Sequence, residues 1–281
     1  MQLIVFSKLL KDYSIPALIE LAHSHGYTGY DLCVRPGYPV SPENAAEVLP
    51  AAARRMADAG LAIPLVTGPI SLTDPRQPEA EALLAALAAA GLPRLKLGYF
   101  RFDPARPYWA QVDEARRSLE SWEILGRIYG VQLCYHTHSG TLLGLNAAGL
   151  MHLLAERDPA HIGAYLDPSH LAVNGEPFTL GLAMVARYVS VLSLKDVWVE
   201  RVTANSPSTS SGHRHGKGEV RWVAAGEGVV DWTEVFAELK RTGFNGPASI
   251  HCEYEVPADE WMGTFAREIA FFKRWNADLA D

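Results

Sequence analysis

A repeated punctuation constrains the fold of this 281-residue chain more than any other feature. Alanine- and leucine-rich stretches with helical spacing end at a glycine, and a short apolar run soon follows. Gly26 precedes TGYDLCV, Gly60 precedes AIPLV, Gly91 precedes PRLKLGY, Gly130 precedes VQLCYH and Gly243 precedes NGPASIHC. A glycine just past a helix end suits the left-handed cap that residues with a Cβ resist. Short apolar strands separated by helices read as repeated βα units and a parallel sheet. Eight strands are expected near 2–6, 29–34, 62–66, 94–98, 131–136, 162–166, 189–194 and 247–252. Helices are expected near 15–25, 43–59, 78–90, 108–129, 144–156, 178–187, 231–242 and 259–275. Eight such units match a (β/α)8 TIM barrel forming a single domain over 1–281, since roughly 250 residues is usual for that fold. The alternative is a doubly wound open sheet, but no GxGxxG follows the first strand and no P-loop occurs.

Local signals support the helices. Val112, Ala115, Leu119, Trp122, Leu125 and Ile128 recur at steps of three and four and form one apolar face. Asp231 and Glu234 have capping-box spacing. Ser41 and Pro42 read as an N-cap and a first-turn proline, and Pro50 is expected to kink or break that helix.

The net charge of −7 argues against a nucleic-acid or anionic-membrane surface. Cys33, Cys134 and Cys252 are widely spaced and form neither a disulfide framework nor a CxxC site, so a reducing, cytoplasmic setting is expected. The N-terminal stretch lacks signal-peptide features, and no run approaches the roughly 18 apolar residues of a membrane span. The polar segment 203–219 follows the seventh strand and is a candidate lid over the catalytic face.

In a barrel one face of each strand meets the helices and is apolar, while the other faces inward and ends at the active-site mouth. Side chains alternate with period 2. Setting the apolar residues outward leaves Asp31 and Arg35 inward on the second strand and Lys96 on the fourth. It leaves His136 and His138 on the fifth strand and Tyr165 and Asp167 on the sixth. The seventh strand contributes Ser193 and Lys195, and the eighth Ser249, His251 and Glu253. His170 follows Asp167 by three in the turn DPSH. Such a mixed N/O set suits zinc, manganese or iron, whereas an all-oxygen set favours magnesium. Taken singly, each residue has a plainer reading. Strand-end histidines form hydrogen bonds, Asp167–Pro168 is turn chemistry, and inward lysines bind hydroxylated or anionic groups. Trp198 and Trp222 serve packing or sugar stacking. The weight lies in their convergence.

The pieces GYTGYDLCVRPG, YHTHSG, IGAYLDPSHL, LSLKDVW and GEGVVDWTEVFAELKRTGFNGPASIHCEYE span nearly the whole chain. With them the chain resembles the sugar phosphate isomerase/epimerase family, the xylose isomerase-like barrels that also include the zinc-dependent abasic-site endonuclease. The resemblance implies a TIM barrel with a divalent metal at the strand C-termini. It also implies activity on a small polyhydroxylated carbonyl compound. Its usual ligands are a glutamate, an aspartate, a histidine and a glutamate on the fifth to eighth strands. The aspartate falls on Asp167, but the other three positions hold His136, Ser193 and His251. The family's epimerases are described as using two metal-bound glutamates as bases. Here Glu253 and Glu255 both follow the eighth strand, so a second base would come from a histidine or Lys195.

The expected protein is therefore a metal-assisted isomerase or epimerase, or an enolising lyase, acting on a sugar or keto-sugar. Its divalent metal (Mn, Zn, Mg or Co) would lie on His136, Asp167, His251 and Glu253. Glu253, His138 and Lys195 would be catalytic, and Arg35, Lys96, His170 and Trp198 would bind substrate. Two rivals are a phosphodiesterase related to the abasic-site endonuclease, from His213-Arg214-His215 before a GEG, and a non-catalytic sugar-binding barrel. Trp261, Phe265, Ile269, Phe271 and Phe272 on the last helix suggest a homo-oligomer contact, with packing inside the chain as the plainer reading.

Overall fold

The computed structural model of the chain describes residues 1–201, 214–215 and 218–279. Its strands, in chain order, are β1 (Gln2–Phe6), β2 (Gly29–Cys33), β3 (Ala62–Thr67), β4 (Arg94–Lys96), β5 (Gln132–His136), β6 (Ile162–Leu166), β7 (Val189–Leu194), β8 (Asp196–Arg201), β9 (Arg214–His215), β10 (Gly218–Val223) and β11 (Pro247–Ile250). β1 to β7 and β11 close a barrel, pairing in parallel in chain order, and β11 returns to β1 with Gln2 opposite Pro247. The helices are α1 (Ile15–His25), α2 (Ala45–Asp58), α3 (Pro78–Ala90), α4 (Tyr108–Tyr129), α5 (Ala147–Leu154), α6 (Pro168–Val173), α7 (Phe178–Val185), α8 (Trp232–Thr242) and α9 (Trp261–Asp278). No described helix is long and apolar enough to cross a membrane.

The glycine punctuation has the expected cause. Gly26, Gly91, Gly130 and Gly243 each cap a helix with φ between 66° and 69°. Their N–H groups return to the last turn, and the chain swings straight into the next strand. Period 2 then sorts the strands. Tyr30, Leu32, Leu95, Leu133, Tyr135 and Ile162 join the large apolar core outside the barrel. Leu65, Cys134, Tyr165 and Val191 form a small cluster within it.

Four details differ from the sequence reading. α2 begins at Ala45 behind Asn44, because Asn44 Oδ1 accepts from the Ser41 N–H at 2.8 Å and holds that segment as a turn. Pro50 leaves α2 continuous. Its missing N–H forgoes a single bond, to Ala46, near the helix start. The DPSH turn is the short helix α6, capped by Asp167. Finally, β8, β10 and β9 make a small antiparallel sheet after the seventh barrel strand. Val197, Val220 and Trp222 bury its inner face against Val173. Most of the expected lid, namely 203–213 and 216–217, lies outside the described residues.

The apolar residues of α9 serve the chain itself. Phe265, Ile269 and Phe272 are buried, Trp232 meets Phe272 at 4.8 Å, and Trp275 stacks on Phe236 at 5.2 Å. Trp261 and Phe271, also named from the sequence, are half-buried.

The run DVW…GEGVVDW is a single anchoring device. Asp196, fully buried, follows Lys195 at the end of β7. Oδ1 accepts from the N–H groups of Val197 (2.8 Å) and Val230 (3.2 Å). Oδ2 accepts from Gly226 (2.8 Å), Gly228 (3.2 Å) and the Trp232 indole (2.9 Å). A Cβ on Gly228 would lie 2.1 Å from Asp196 Oδ1, so only glycine lets the loop close this tightly. The carboxylate ties β7, the loop and α8 together and fixes the backbone from which Lys195 projects.

Candidate active site

The barrel mouth holds a cup of about 80 Å³ whose wall includes Lys96, His136, His138, Lys195, His251 and Glu253. Through Arg35, Ile70 and Tyr99 it adjoins a wider cavity of about 1290 Å³, lined by five arginines (35, 76, 101, 106 and 117) against Asp74 and Glu114.

Lys195 stands among the polar groups, 4% exposed. Its Nζ lies 2.9 Å from His170 Nε2, 3.3 Å from Glu253 Oε2 and 3.5 Å from Asp167 Oδ2, with the Trp222 ring at 4.1 Å. Carboxylates flank Nζ on two sides, with His170 Nε2 on a third. On the far side of that ring Nδ1 accepts from the Ser139 N–H at 3.1 Å and lies 2.8 Å from the Ser139 hydroxyl.

Asp167 is shared between structure and site. Oδ1 caps α6 through the N–H groups of Ser169 (2.9 Å) and His170 (3.2 Å). Oδ2 faces His136 Nε2 at 3.2 Å. Burial alone would raise this carboxyl, but the Lys195 charge, His170 and the His136 hydrogen bond together hold it well below its usual range. His136 is driven the other way. Burial lowers it to about 3 against the pull of Asp167, so the ring is neutral. Its Nε2–H therefore donates to Asp167, and its Nδ1 lone pair accepts from the Tyr99 hydroxyl at 2.8 Å.

Glu253 is gripped by two lysines. Lys8 bonds Oε1, and Lys195 reaches Oε2 at 3.3 Å. Burial opposes the charge, yet Lys195, His251 and Lys8 hold this carboxyl well below its ordinary value. His251 places Nε2 2.7 Å from the Tyr165 hydroxyl, which donates to Asp31 at 3.1 Å. Its Nδ1 is buried without a hydrogen bond, 3.5 Å from Glu253 Oε2. Burial raises Asp31.

Across the barrel, burial and then the Arg35 charge lower Lys96 from 10.5 to about 7, and its Nζ lies 3.9 Å from the Tyr99 ring centre. His138 gives its Nδ1 proton to the Ser139 carbonyl at 2.8 Å, which makes Nε2 the lone-pair nitrogen.

Of the residues read from the sequence as substrate binders, Arg35 and Lys96 reach the cup. His170 does not. Asp167 caps the helix that carries it, so the ring is tucked, fully buried, behind Lys195. Trp198 is also displaced. It lies on β8 of the small sheet, 39% exposed and outside the cup wall, whereas Trp222 on β10 packs on Lys195. The side chains of His213, Arg214 and His215 fall outside the described residues. Lys8 and Tyr99 are additions. Lys8 lies in the short 3-10 helix Ser7–Leu10 and Tyr99 in the loop after β4, where period 2 no longer assigns a direction.

A family model described as xylose isomerase-like TIM barrel matches residues 19–275. The chain belongs to this family. An inosose dehydratase from Geobacillus thermodenitrificans (strain NG80-2) is 27% identical over 126 residues, 45% of this chain and 42% of that protein. The alignment thus spans less than half of that relative. Among solved structures, an E. coli 3-keto-D-glucoside 4-epimerase superposes with TM-score 0.70 at 14% identity, over 98% of this chain and 99% of its own. The IOLI protein with a binding zinc atom superposes with TM-score 0.72 at 15% identity, over 99% of this chain and 98% of its own. At such identities the superpositions show the xylose isomerase-like barrel and nothing finer.

Family membership raises the question of a metal. His136, Asp167, His251 and Glu253 do come together, but not as ligands. Among the described residues no group of three or more His, Cys, Asp or Glu is arranged to hold an ion. His136 points an N–H, not a lone pair, at Asp167, and the Lys195 Nζ fills the space between Asp167 and Glu253. Ser193, at the remaining position, is a buried hydroxyl without a partner and a poor ligand for a divalent ion. As they stand, these residues do not fit a resident divalent metal.

Proposed function

We propose that this chain moves a proton next to the carbonyl of a sugar or keto-sugar, as an isomerase or epimerase. The observation that carries the reading is the opposition of proton carriers across one small cup. Lys96 (β4) and His138 (after β5) face Glu253 (after β11), with Lys195 between them. β4 and β11 are four strands apart in an eight-stranded ring, so a substrate carbon between them meets a group on each face. Lys96, brought to about 7, has a proton affinity matched to abstraction at neutral pH. Glu253, held charged by two lysines, is the weaker base. Its oxygens suit it to guide the proton back or to orient a hydroxyl. His138, through Nε2, can carry the proton between adjacent oxygens. The Nζ of Lys195 donates to the carbonyl oxygen and stabilises the negative charge that develops there as the proton leaves. Arg35 binds an outer oxygen, and the arginine-lined cavity receives the rest of the molecule.

Membership of the family supports this reading, as do the names of its relatives, a sugar epimerase and an inosose dehydratase. Dehydration of a keto-polyol also begins by removing a proton beside a carbonyl, so an enolising lyase shares the first step. A metal-assisted form, with the ion on His136, Asp167, His251 and Glu253, draws support from the unpartnered Nδ1 of His251. It requires Lys195 to leave its place. The test is solvent exchange. The protein is incubated in D2O with a panel of ketoses, keto-inositols and sugar acids, and proton NMR is read for loss of the signal next to the carbonyl. Exchange with at least one compound, reduced in Lys96→Met, supports the reading. No exchange with any of them overturns it.

A further inference from the structure

We infer that Lys195 is itself the cation of this site, and that its ammonium holds the position a divalent metal would need. The first ground is geometric. Nζ lies 3.3 Å from Glu253 Oε2 and 3.5 Å from Asp167 Oδ2, the two carboxylates of the expected ligand set, and 2.9 Å from His170 Nε2. The amine is 4% exposed and capped by the Trp222 ring at 4.1 Å, so it is packed in place rather than resting at the rim.

The second ground is charge. Asp167 and Glu253 are the two carboxylates around this point, and Lys195 and Lys8 already pair with them. A divalent ion entering beside Lys195 would add two positive charges where the balance is already struck, within contact distance of a like charge.

The third ground is the orientation of the other donors. His136 turns its N–H to Asp167 and its lone pair to Tyr99, and His170 holds Nε2 within 2.9 Å of the Lys195 Nζ. The His136 ring is thus committed to a carboxylate and a phenol, and the His170 ring to Ser139 and the ammonium. The backbone beneath is fixed as well, since Asp196, the next residue, accepts five N–H hydrogen bonds.

In the reaction proposed above, the consequence is that the carbonyl oxygen is polarised by a hydrogen-bonding cation and not by a Lewis acid. This last step rests on the enolising reading, whereas the occupancy of the cation position does not. The experiment therefore measures metal directly. Wild-type protein, purified without chelator, is assayed by inductively coupled plasma mass spectrometry and titrated with Mn2+ and with Zn2+ by calorimetry, as are Lys195→Met and Lys195→Arg. The expected result is less than about a tenth of a metal ion per wild-type chain and no saturable site. Lys195→Arg, which keeps the charge, behaves alike. Lys195→Met, which empties the position, gains one site at least about 100-fold tighter. If Lys195→Met does not fold, Lys195→Gln, which keeps a donor amide, takes its place with the same expectation. One stoichiometric metal in the wild type overturns the inference, and so does equal binding by all variants. A failed exchange panel would remove the proposed reaction and leave these metal measurements standing.

Discussion

The substitution Asp196→Asn tests the anchoring of the site most directly, because it changes one atom of a buried carboxylate and little else. Two N–H donors converge on Oδ1 and three on Oδ2, at 2.8 to 3.2 Å. Whichever way the amide turns, its NH2 group confronts at least two N–H groups that had an acceptor. Leaving a buried donor unmade costs about 1–3 kcal/mol, so two of them cost about 2–6 kcal/mol, with about 4 as the central expectation. Asp196→Ala exposes all five donors but opens room for water to serve some of them, so its loss should be similar, about 3–5 kcal/mol. Asp231 provides the control. It is an exposed N-cap with one bond, to the Glu234 N–H at 3.0 Å, and Asp231→Ala should cost about 1 kcal/mol. Urea denaturation followed by tryptophan fluorescence and by circular dichroism gives the shifts, taken as midpoint changes at a common slope. A loss below about 1 kcal/mol in Asp196→Asn, no greater than the Asp231 control, would refute the claim that this carboxylate is the knot of β7, the loop and α8.

Other expectations follow from the same geometry. Gly228→Ala, whose Cβ would fall 2.1 Å from Asp196 Oδ1 and 2.4 Å from the Val197 carbonyl, should destabilise by about 3 kcal/mol or more in the same assay. His136 is held neutral, with its folded value lowered to about 3, so the unfolded chain binds the extra proton as pH falls from about 6.5 toward 3. Stability should therefore decline over that window. His136→Gln, which keeps a donor for Asp167, should flatten the slope by up to about 1.4 kcal/mol per pH unit, and an unchanged slope would contradict the assignment. Lys96 should titrate near 7 by NMR of 13C-labelled lysine, in a resonance absent from Lys96→Met, and an ordinary value near 10.5 would remove it as a proton acceptor at neutral pH.

The barrel was legible because its signals are local. A left-handed glycine closes each of several helices, and period 2 separates outward from inward residues over a few positions. β6 and β7 therefore begin and end where the pattern places them, at Ile162–Leu166 and Val189–Leu194. The same alternation directs Asp31, Lys96, His136, Lys195, His251 and Glu253 to the cup. It could not supply depth or partnership. His170 shares a turn with Asp167, yet the cap that Asp167 forms rotates it behind the wall. Trp198 obeys strand alternation, but on a strand that has left the barrel for a separate sheet. That Lys195 reaches between Asp167 and Glu253 depends on Asp196 and on a loop some 30 residues onward, a relation no local period expresses.

The departures from the family's usual ligand set are best understood together as one exchange of charge. The resemblance expects glutamates where this chain has His136 and His251, and a histidine where it has Ser193. His136 is held neutral, so its substitution removes a negative charge from a site that otherwise accommodates a divalent ion. Asp167 and Glu253 remain, and each already has a lysine beside it. A lysine alone could not satisfy four acidic or imidazole ligands, and a metal would be over-charged against two carboxylates that already have lysine partners. By contrast, GEGVVDW, one of the stretches that carry the family resemblance, lines no part of the cup among the described residues. It ligates the carboxylate of Asp196 and holds the scaffold. Similarity to other members therefore reports mainly on the frame that aims Lys195, while the reaction is decided by a few strand-end side chains that the frame would present equally well if they were different.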